Sequence, residues 1–235
     1  MCAIIYCLEG AVTEASVFSP DIPVLGGGDL AAGRVFCVGR NYADHAAEMG
    51  DAVPEPPFFF IKPATCLVVR PATLSYPPRT ADLQHEIELV VVIGKGGRDI
   101  ARDRALEHVA GYATGVDMTR RDMQAEAKAK RRPWDMSKSF DEAAPISAIT
   151  PAVAVPGIEQ AALRLTVNGD VRQQGHVADM IWPVADIVAE LSTYMALLPG
   201  DLIYTGTPAG VGPVARGDRV RAEIEGLEPL DFTIA

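Results

Sequence analysis

The run His85-Glu86-Ile87-Glu88-Leu89-Val90-Val91-Val92-Ile93 constrains the fold more than any other part of this chain. Its unbroken β-branched and apolar content predicts a strand buried on both sides, because a strand with one wet face alternates apolar and polar residues. Glu86 and Glu88 stand one residue apart at its head, and strand side chains alternate faces, so the two carboxylates point the same way. Like charges entering an interior repel and lose hydration, at a cost on the order of several kcal/mol per ion. Either a positive partner sits between them, for which a divalent cation suffices, or this end of the strand is a solvated edge.

The rest of the composition narrows the field. At 235 residues and 49% hydrophobic content the chain can bury a large core, and the length suits one large domain or a domain plus a small appendage, a single domain being the better reading. A formal net charge of −10 argues against a nucleic-acid partner, which needs Lys and Arg gathered on one face. The one basic cluster, Lys128 to Arg132, reads as a solvated helix end. Cys2, Cys7, Cys37 and Cys66 show neither a CxxC spacing nor an extracellular framework, so each is expected as a small buried residue or free thiol in a reducing cytoplasm. The N-terminus lacks a basic leader, and no stretch reaches the ~18 to 20 apolar residues of a membrane helix. A soluble, intracellular protein with no membrane partner is expected.

Pro and Gly, 18 and 21 of them, punctuate the whole chain and favour an α+β, β-rich architecture of short segments. Strands are expected over 34–38, 58–62, 86–93, 109–116, 163–167, 201–205 and 219–224. Residues 163–167 and 171–174 flank Asn168-Gly169-Asp170, a hairpin signal. Three helices are expected: one capped by Asn41 and running through Glu48, one opened by Thr119 with Asp122 and running to about Lys130, and one over 187–197 stopped by Pro199-Gly200. No glycine-rich strand-to-helix turn supports a nucleotide cofactor.

Several residues then qualify for chemistry. Asp117, at the end of an apolar run, is the candidate third carboxylate, and three carboxylates make an all-oxygen site suited to Mg²⁺ or Mn²⁺, with Ca²⁺ also able to occupy it and Zn²⁺ less suited. His45 and Glu48 fall at i and i+3 on one helix face, where the pair orients and deprotonates a water or is simply a surface ion pair. Lys138 lies in a segment read as irregular. The turn Thr205-Gly206-Thr207-Pro208-Ala209-Gly210-Val211-Gly212, with three glycines, offers backbone N–H groups and the Thr207 hydroxyl to an anion, or is only a turn.

The ordered set GRNYADH (39–45), FFFIKP (58–63), HEIEL (85–89), GYATGVDMTRRDMQ (111–124), KSFD (138–141), VNGDVRQ (167–173) and GDLIYTGTPAGVG (200–212) resembles the fumarylacetoacetate hydrolase superfamily. The resemblance runs from about Arg34 to the C-terminus. It implies that family's mixed β-sandwich roll as a single catalytic domain over 34–235, residues 1–33 being an extension packed on it, and a homodimeric assembly. It also implies Mg²⁺ or Mn²⁺ on Glu86, Glu88 and Asp117, and a water-activating dyad of His45 and Glu48 on a short mobile helix. Gln124, Lys138 and Thr207 match residues that contact substrate oxygens, Lys138 among the catalytic groups, while Arg40 and Asn41 match the pocket entrance. The stretches 56–63, 94–100, 117–124 and 138–141 look most like the fumarylpyruvate hydrolases of bacterial aromatic-acid catabolism.

The activity implied by this resemblance is metal-assisted hydrolysis of an acylpyruvate, a small anionic 2-oxo acid, with fumarylpyruvate giving fumarate and pyruvate. Arg40, Arg120 and Arg121 are then candidates for a distal carboxylate. Two rivals keep the metal and change the reaction: oxaloacetate decarboxylation, and isomerisation or decarboxylation of longer unsaturated dioates. A rival of another class is a metal-dependent ligand-binding protein without turnover.

Overall fold

The strand that begins at the paired glutamates sits at the centre of the molecule. In the computed structural model, which describes residues 19–50 and 56–235 together with the backbone of Cys7–Leu8 and Ala11–Val12, Ile87–Ile93 is buried at every position. It pairs antiparallel with Leu202–Tyr204 on one side and Val109–Val116 on the other. The curled sheet around it has eight strands, ordered Phe58–Lys62, Val35–Gly39, Leu202–Tyr204, Ile87–Ile93, Val109–Val116, Ala144–Ile146 and Leu67–Val69, with Thr150–Pro151 also paired to Val109–Val116. Ile87, Leu89, Val91 and Ile93 face one hydrophobic cluster; Val90 and Val92, on the side shared with Glu86 and Glu88, face a second. The β-rich expectation and the doubly buried strand are both met.

A second sheet of five strands, ordered Asp170–His176, Ala162–Val167, Arg219–Ile224, Leu230–Ile234 and Thr73–Leu74, packs Leu163, Leu165, Val220 and Phe232 into the first cluster. Helix Val184–Tyr194 adds Ile187, Val188 and Leu191 to the same core. Both sheets mix parallel and antiparallel pairs. The hairpin turn forms as its sequence predicts, with Asn168 at φ 55° and Gly169 at φ 89°. A small third sheet, Thr119–Arg120, Leu83–His85 and Gly212–Val214, closes one end of the molecule near the glutamates.

Local expectations needed correction at three helices. The first spans Ala43–Glu48 with Tyr42, not Asn41, as its N-cap, because the Asn41 side chain is turned to the Trp182 and Thr205 backbones. The second is Arg121–Ala129, and Thr119 is a strand residue bonded to the Asp117 carbonyl instead of a cap. The third starts earlier and ends earlier than expected, at Val184–Tyr194, because beyond it Leu197 pairs with the Gly97 backbone. Of the segment before residue 34, Asp21–Pro23 and Asp29–Ala31 form a hairpin whose Ile22 enters the second cluster. Most of residues 1–18, including Cys2 and the N-terminal stretch on which the leader expectation rests, lie outside the described residues, as does the side chain of Cys7. Cys37 and Cys66 are buried free thiols.

Candidate active site

Strand register brings the three acids together. Ile87 lies opposite Val116, so Glu86 and Asp117 meet where the two strands end, and the Asp117 N–H donates to the Glu86 carbonyl at 2.8 Å. Glu88, two residues on, shares the face of Glu86. One carboxylate oxygen from each of Glu86, Glu88 and Asp117 falls within 4.8 Å of the others, and all three side chains are buried. Hard six-coordinate cations hold oxygens at ~2.1 Å from the metal, or ~2.4 Å for Ca²⁺, so the spacing and the donor chemistry both suit such an ion.

Three buried cations surround these acids. Lys138 Nζ donates to Glu86 Oε2 at 2.8 Å, Asp117 Oδ2 at 2.7 Å and Thr119 Oγ1 at 2.7 Å, which occupies all three of its N–H donors. Arg121 pairs with Glu86 Oε1 and also holds Gln84 and Gln124. Lys62 is wholly buried; its ammonium stands 2.8 Å from Asp117 Oδ1, outside hydrogen-bonding alignment, and donates to the carbonyls of Met118, Lys138 and Ala143. With all three acids ionised the charges balance three against three, and a bound dication makes the site positive.

The charge is unevenly shared. Burial works against ionisation of Glu86, but Lys138 and Arg121 outweigh it and hold the carboxyl below the usual range. Glu88 has no ion pair among the described residues and accepts only the Gly206 N–H, at 2.7 Å. Burial, then the charges of Asp117 and Glu86, push its carboxyl well above the ordinary range. Burial also disfavours charge on Lys138, yet Asp117 and Glu86 raise its pKa. A buried carboxylate with no ion pair among the described residues, set against two like charges, is what a divalent cation would relieve, and the residues therefore fit the ion.

Arg40, His45, Glu86, Glu88, Asp117, Gln124, Lys138 and Thr207 all line one cleft of about 430 Å³, part of it open to solvent. His45 Nδ1 faces Glu48 Oε2 at 3.4 Å, and Glu48 is held from behind by the Gly210 N–H at 3.1 and 3.2 Å. Glu48 and Asn41 do not line the cleft. Glu48 backs His45; Asn41 binds the Trp182 and Thr205 backbones through both ends of its amide. The Thr207 hydroxyl donates to the Ile87 carbonyl at 2.8 Å and accepts from Gln173 Nε2 at 2.7 Å, so what Thr207 retains for a ligand is its backbone N–H. The segment read as irregular before Lys138 is a short helix, Asp135–Lys138.

The cations at the mouth differ from expectation. Arg120 stacks on Phe140 at 4.4 Å and donates to the Met136 carbonyl, away from the cleft, and Arg121 belongs to the acid cluster. Lys128, read as part of a solvated helix end, lines the cleft beside Trp134, with Arg40 over the same ring. Sequence reasoning also gave no role to Lys62, a lysine closing an apolar strand, or to Gln173, whose signal is its place at the end of the stretch 167–173.

Buried oxygen donors that fit a hard cation, beside a histidine–carboxylate pair, are the groups that metal-assisted acid–base chemistry requires. Residues 34–235 match the family model described as the fumarylacetoacetate (FAA) hydrolase C-terminal domain, and the chain belongs to that family of enzymes. It is 47% identical over 184 residues to a fumarylpyruvate hydrolase of Ralstonia sp, covering 78% of this chain and 95% of that one. It is 43% identical over 201 residues to the mitochondrial oxaloacetate tautomerase FAHD1 of Bos taurus, covering 86% and 91%. Among solved structures, fumarylpyruvate hydrolase from Pseudomonas aeruginosa in complex with Mn²⁺ and pyruvate superposes with a TM-score of 0.89 at 46% identity, covering 93% and 98%. Among the described residues no helix is long and apolar enough to cross a membrane.

Proposed function

We propose that this enzyme hydrolyses the carbon–carbon bond of an acylpyruvate, with 3-fumarylpyruvate as substrate and fumarate and pyruvate as products. The observation that carries the reading is His45, backed by Glu48, lining the same cleft as the three carboxylates. A divalent cation, Mg²⁺ or Mn²⁺, on Glu86, Glu88 and Asp117 would supply Lewis acidity toward the oxygens of a 2-oxo acid. His45 takes a proton from water, and Glu48 steadies the resulting imidazolium. The hydroxide adds to the C4 carbonyl, the C3–C4 bond breaks toward C3, and a proton returned to C3 completes pyruvate. Lys138, its N–H donors engaged by Glu86, Asp117 and Thr119, acts on substrate oxygens by its charge, while Gln124 and the Thr207 N–H supply donors. Arg40 and Lys128, beside Trp134, are the cations for a distal carboxylate.

The similarity to an oxaloacetate tautomerase supports a second reading, in which the same residues enolise oxaloacetate. There His45 moves a proton between C3 and solvent and no water is added. Incubation of Mn²⁺-loaded protein with fumarylpyruvate, acetylpyruvate and oxaloacetate separates the two. Stoichiometric fumarate and pyruvate from fumarylpyruvate is the expected result. Unchanged fumarylpyruvate alongside rapid keto–enol exchange of oxaloacetate would overturn the hydrolase in favour of the tautomerase, and turnover of none would leave a binding protein.

A further inference from the structure

Gln173 closes the VNGDVRQ stretch and stands on the five-stranded sheet, yet its side chain is wholly buried against the site. In strand Asp170–His176 the register slips between Leu165 and Thr166 of the neighbouring strand, leaving Arg172 as an extra residue beside Gln173. Such a bulge turns the strand and re-aims the next side chain. Gln173 then makes four hydrogen bonds, the full capacity of its amide. Oε1 accepts from the Ile87 N–H at 3.1 Å and faces His85 Nδ1 at 3.0 Å; Nε2 donates to Thr207 Oγ1 at 2.7 Å and the Pro208 carbonyl at 2.9 Å.

Chemistry fixes every direction in this network. The Ile87 N–H only donates and the Pro208 carbonyl only accepts, so the amide has one orientation. His85 Nδ1 must therefore carry the proton, in keeping with burial lowering its pKa and holding the ring neutral. The Thr207 hydroxyl, donating to the Ile87 carbonyl, closes a ring of Thr207, Ile87 and Gln173. One end of that ring is the strand bearing Glu86 and Glu88; the other is the turn bearing the Thr207 N–H. The turn also lies directly on the bulge, since a Cβ on Gly210 would stand 2.1 Å from the Arg172 carbonyl oxygen.

We infer that Gln173 is a positioning residue that sets the distance between the acid cluster and the Thr207 turn, and so governs how the site grips the carboxylate of a 2-oxo acid. The acid-bearing strand is held independently by its pairing with Val109–Val116, whereas at Thr207 and Pro208, between the anchored Gly206 and Gly210, the hydrogen bonds of the turn go to the Ile87 carbonyl and to Gln173. Loosening the clamp therefore acts on the anion more than on the metal. This inference rests on the proposed function.

The test uses calorimetry of Mn²⁺ and then oxalate, a planar dianion shaped like a 2-oxo-acid enolate, on the full chain. Gln173→Met fills the same volume without hydrogen bonds, and Gln173→Glu keeps the acceptors while losing the amide donors. Both variants should weaken oxalate by roughly tenfold or more while Mn²⁺ affinity of Gln173→Met stays within about threefold. Oxalate affinity equal to wild type in both, or Mn²⁺ and oxalate falling in parallel as a merely structural role predicts, would overturn the inference. Gln173→Glu carries the test alone should Gln173→Met not fold. Failure of the wild type to bind oxalate with Mn²⁺ present would strike the functional reading itself.

Discussion

Glu88 is the acid whose ionisation the site opposes, and its behaviour is measurable. Its folded-state carboxyl lies well above the ordinary value of about 4.3, so in metal-free protein the neutral form persists to higher pH than in the unfolded chain. Stability from this group is full below the ordinary carboxylate range and is lost as pH rises through the elevated value. EDTA-treated protein should therefore lose melting temperature on going from acid toward alkaline pH, and Glu88→Gln should flatten that slope. Because the cation needs the ionised form, Mn²⁺ binding should release a proton and tighten as pH rises, which calorimetry in buffers of different ionisation enthalpy checks. Glu86 behaves oppositely, held low by Lys138 and Arg121, so its contribution is present above the ordinary range and lost only in strong acid. For His45, substitution by Ala should lower kcat by about 10²- to 10⁴-fold while Mn²⁺ affinity is unchanged; undiminished hydrolysis would remove it from the mechanism.

At the scale of the element, the Thr205–Gly210 turn is more tightly specified than a loop need be. Gly206 sits at φ 95°, and a Cβ there would stand 2.8 Å from the Asn41 Cβ, while its N–H must reach Glu88. Gly206→Ala should cost about 1–3 kcal/mol of stability and weaken Mn²⁺ binding, read by thermal melts and calorimetry. The sequence makes the long strands legible because their pattern is local, as in Ile87–Ile93. It does not announce Leu83–His85, Gly212–Val214 or Thr119–Arg120, two or three residues each, which exist only because distant partners pair with them. The acids and the His45–Glu48 pair were legible as motifs. Lys62 and Gln173 were not, since their roles come from burial and from partners far along the chain.

At the scale of the whole molecule, an acidic protein encloses a site whose fixed charges cancel. The formal net charge of −10 is spread elsewhere, and within the cleft Lys62, Arg121 and Lys138 offset Glu86, Glu88 and Asp117. A dication then tips the balance positive, so anion binding should depend on metal. Oxalate should raise the melting temperature of Mn²⁺-loaded protein more than that of EDTA-treated protein; equal shifts would refute this charge balance. One loop contributes the Gly206 N–H to Glu88 and the Gly210 N–H to Glu48, so it serves a candidate metal ligand and the partner of the proposed base at once. A segment with two masters has little freedom to drift: a change that suits one duty disturbs the other. Under the proposed reaction, new acyl preferences are therefore expected at Arg40, Lys128 and Trp134, which line the cleft but are not part of that loop.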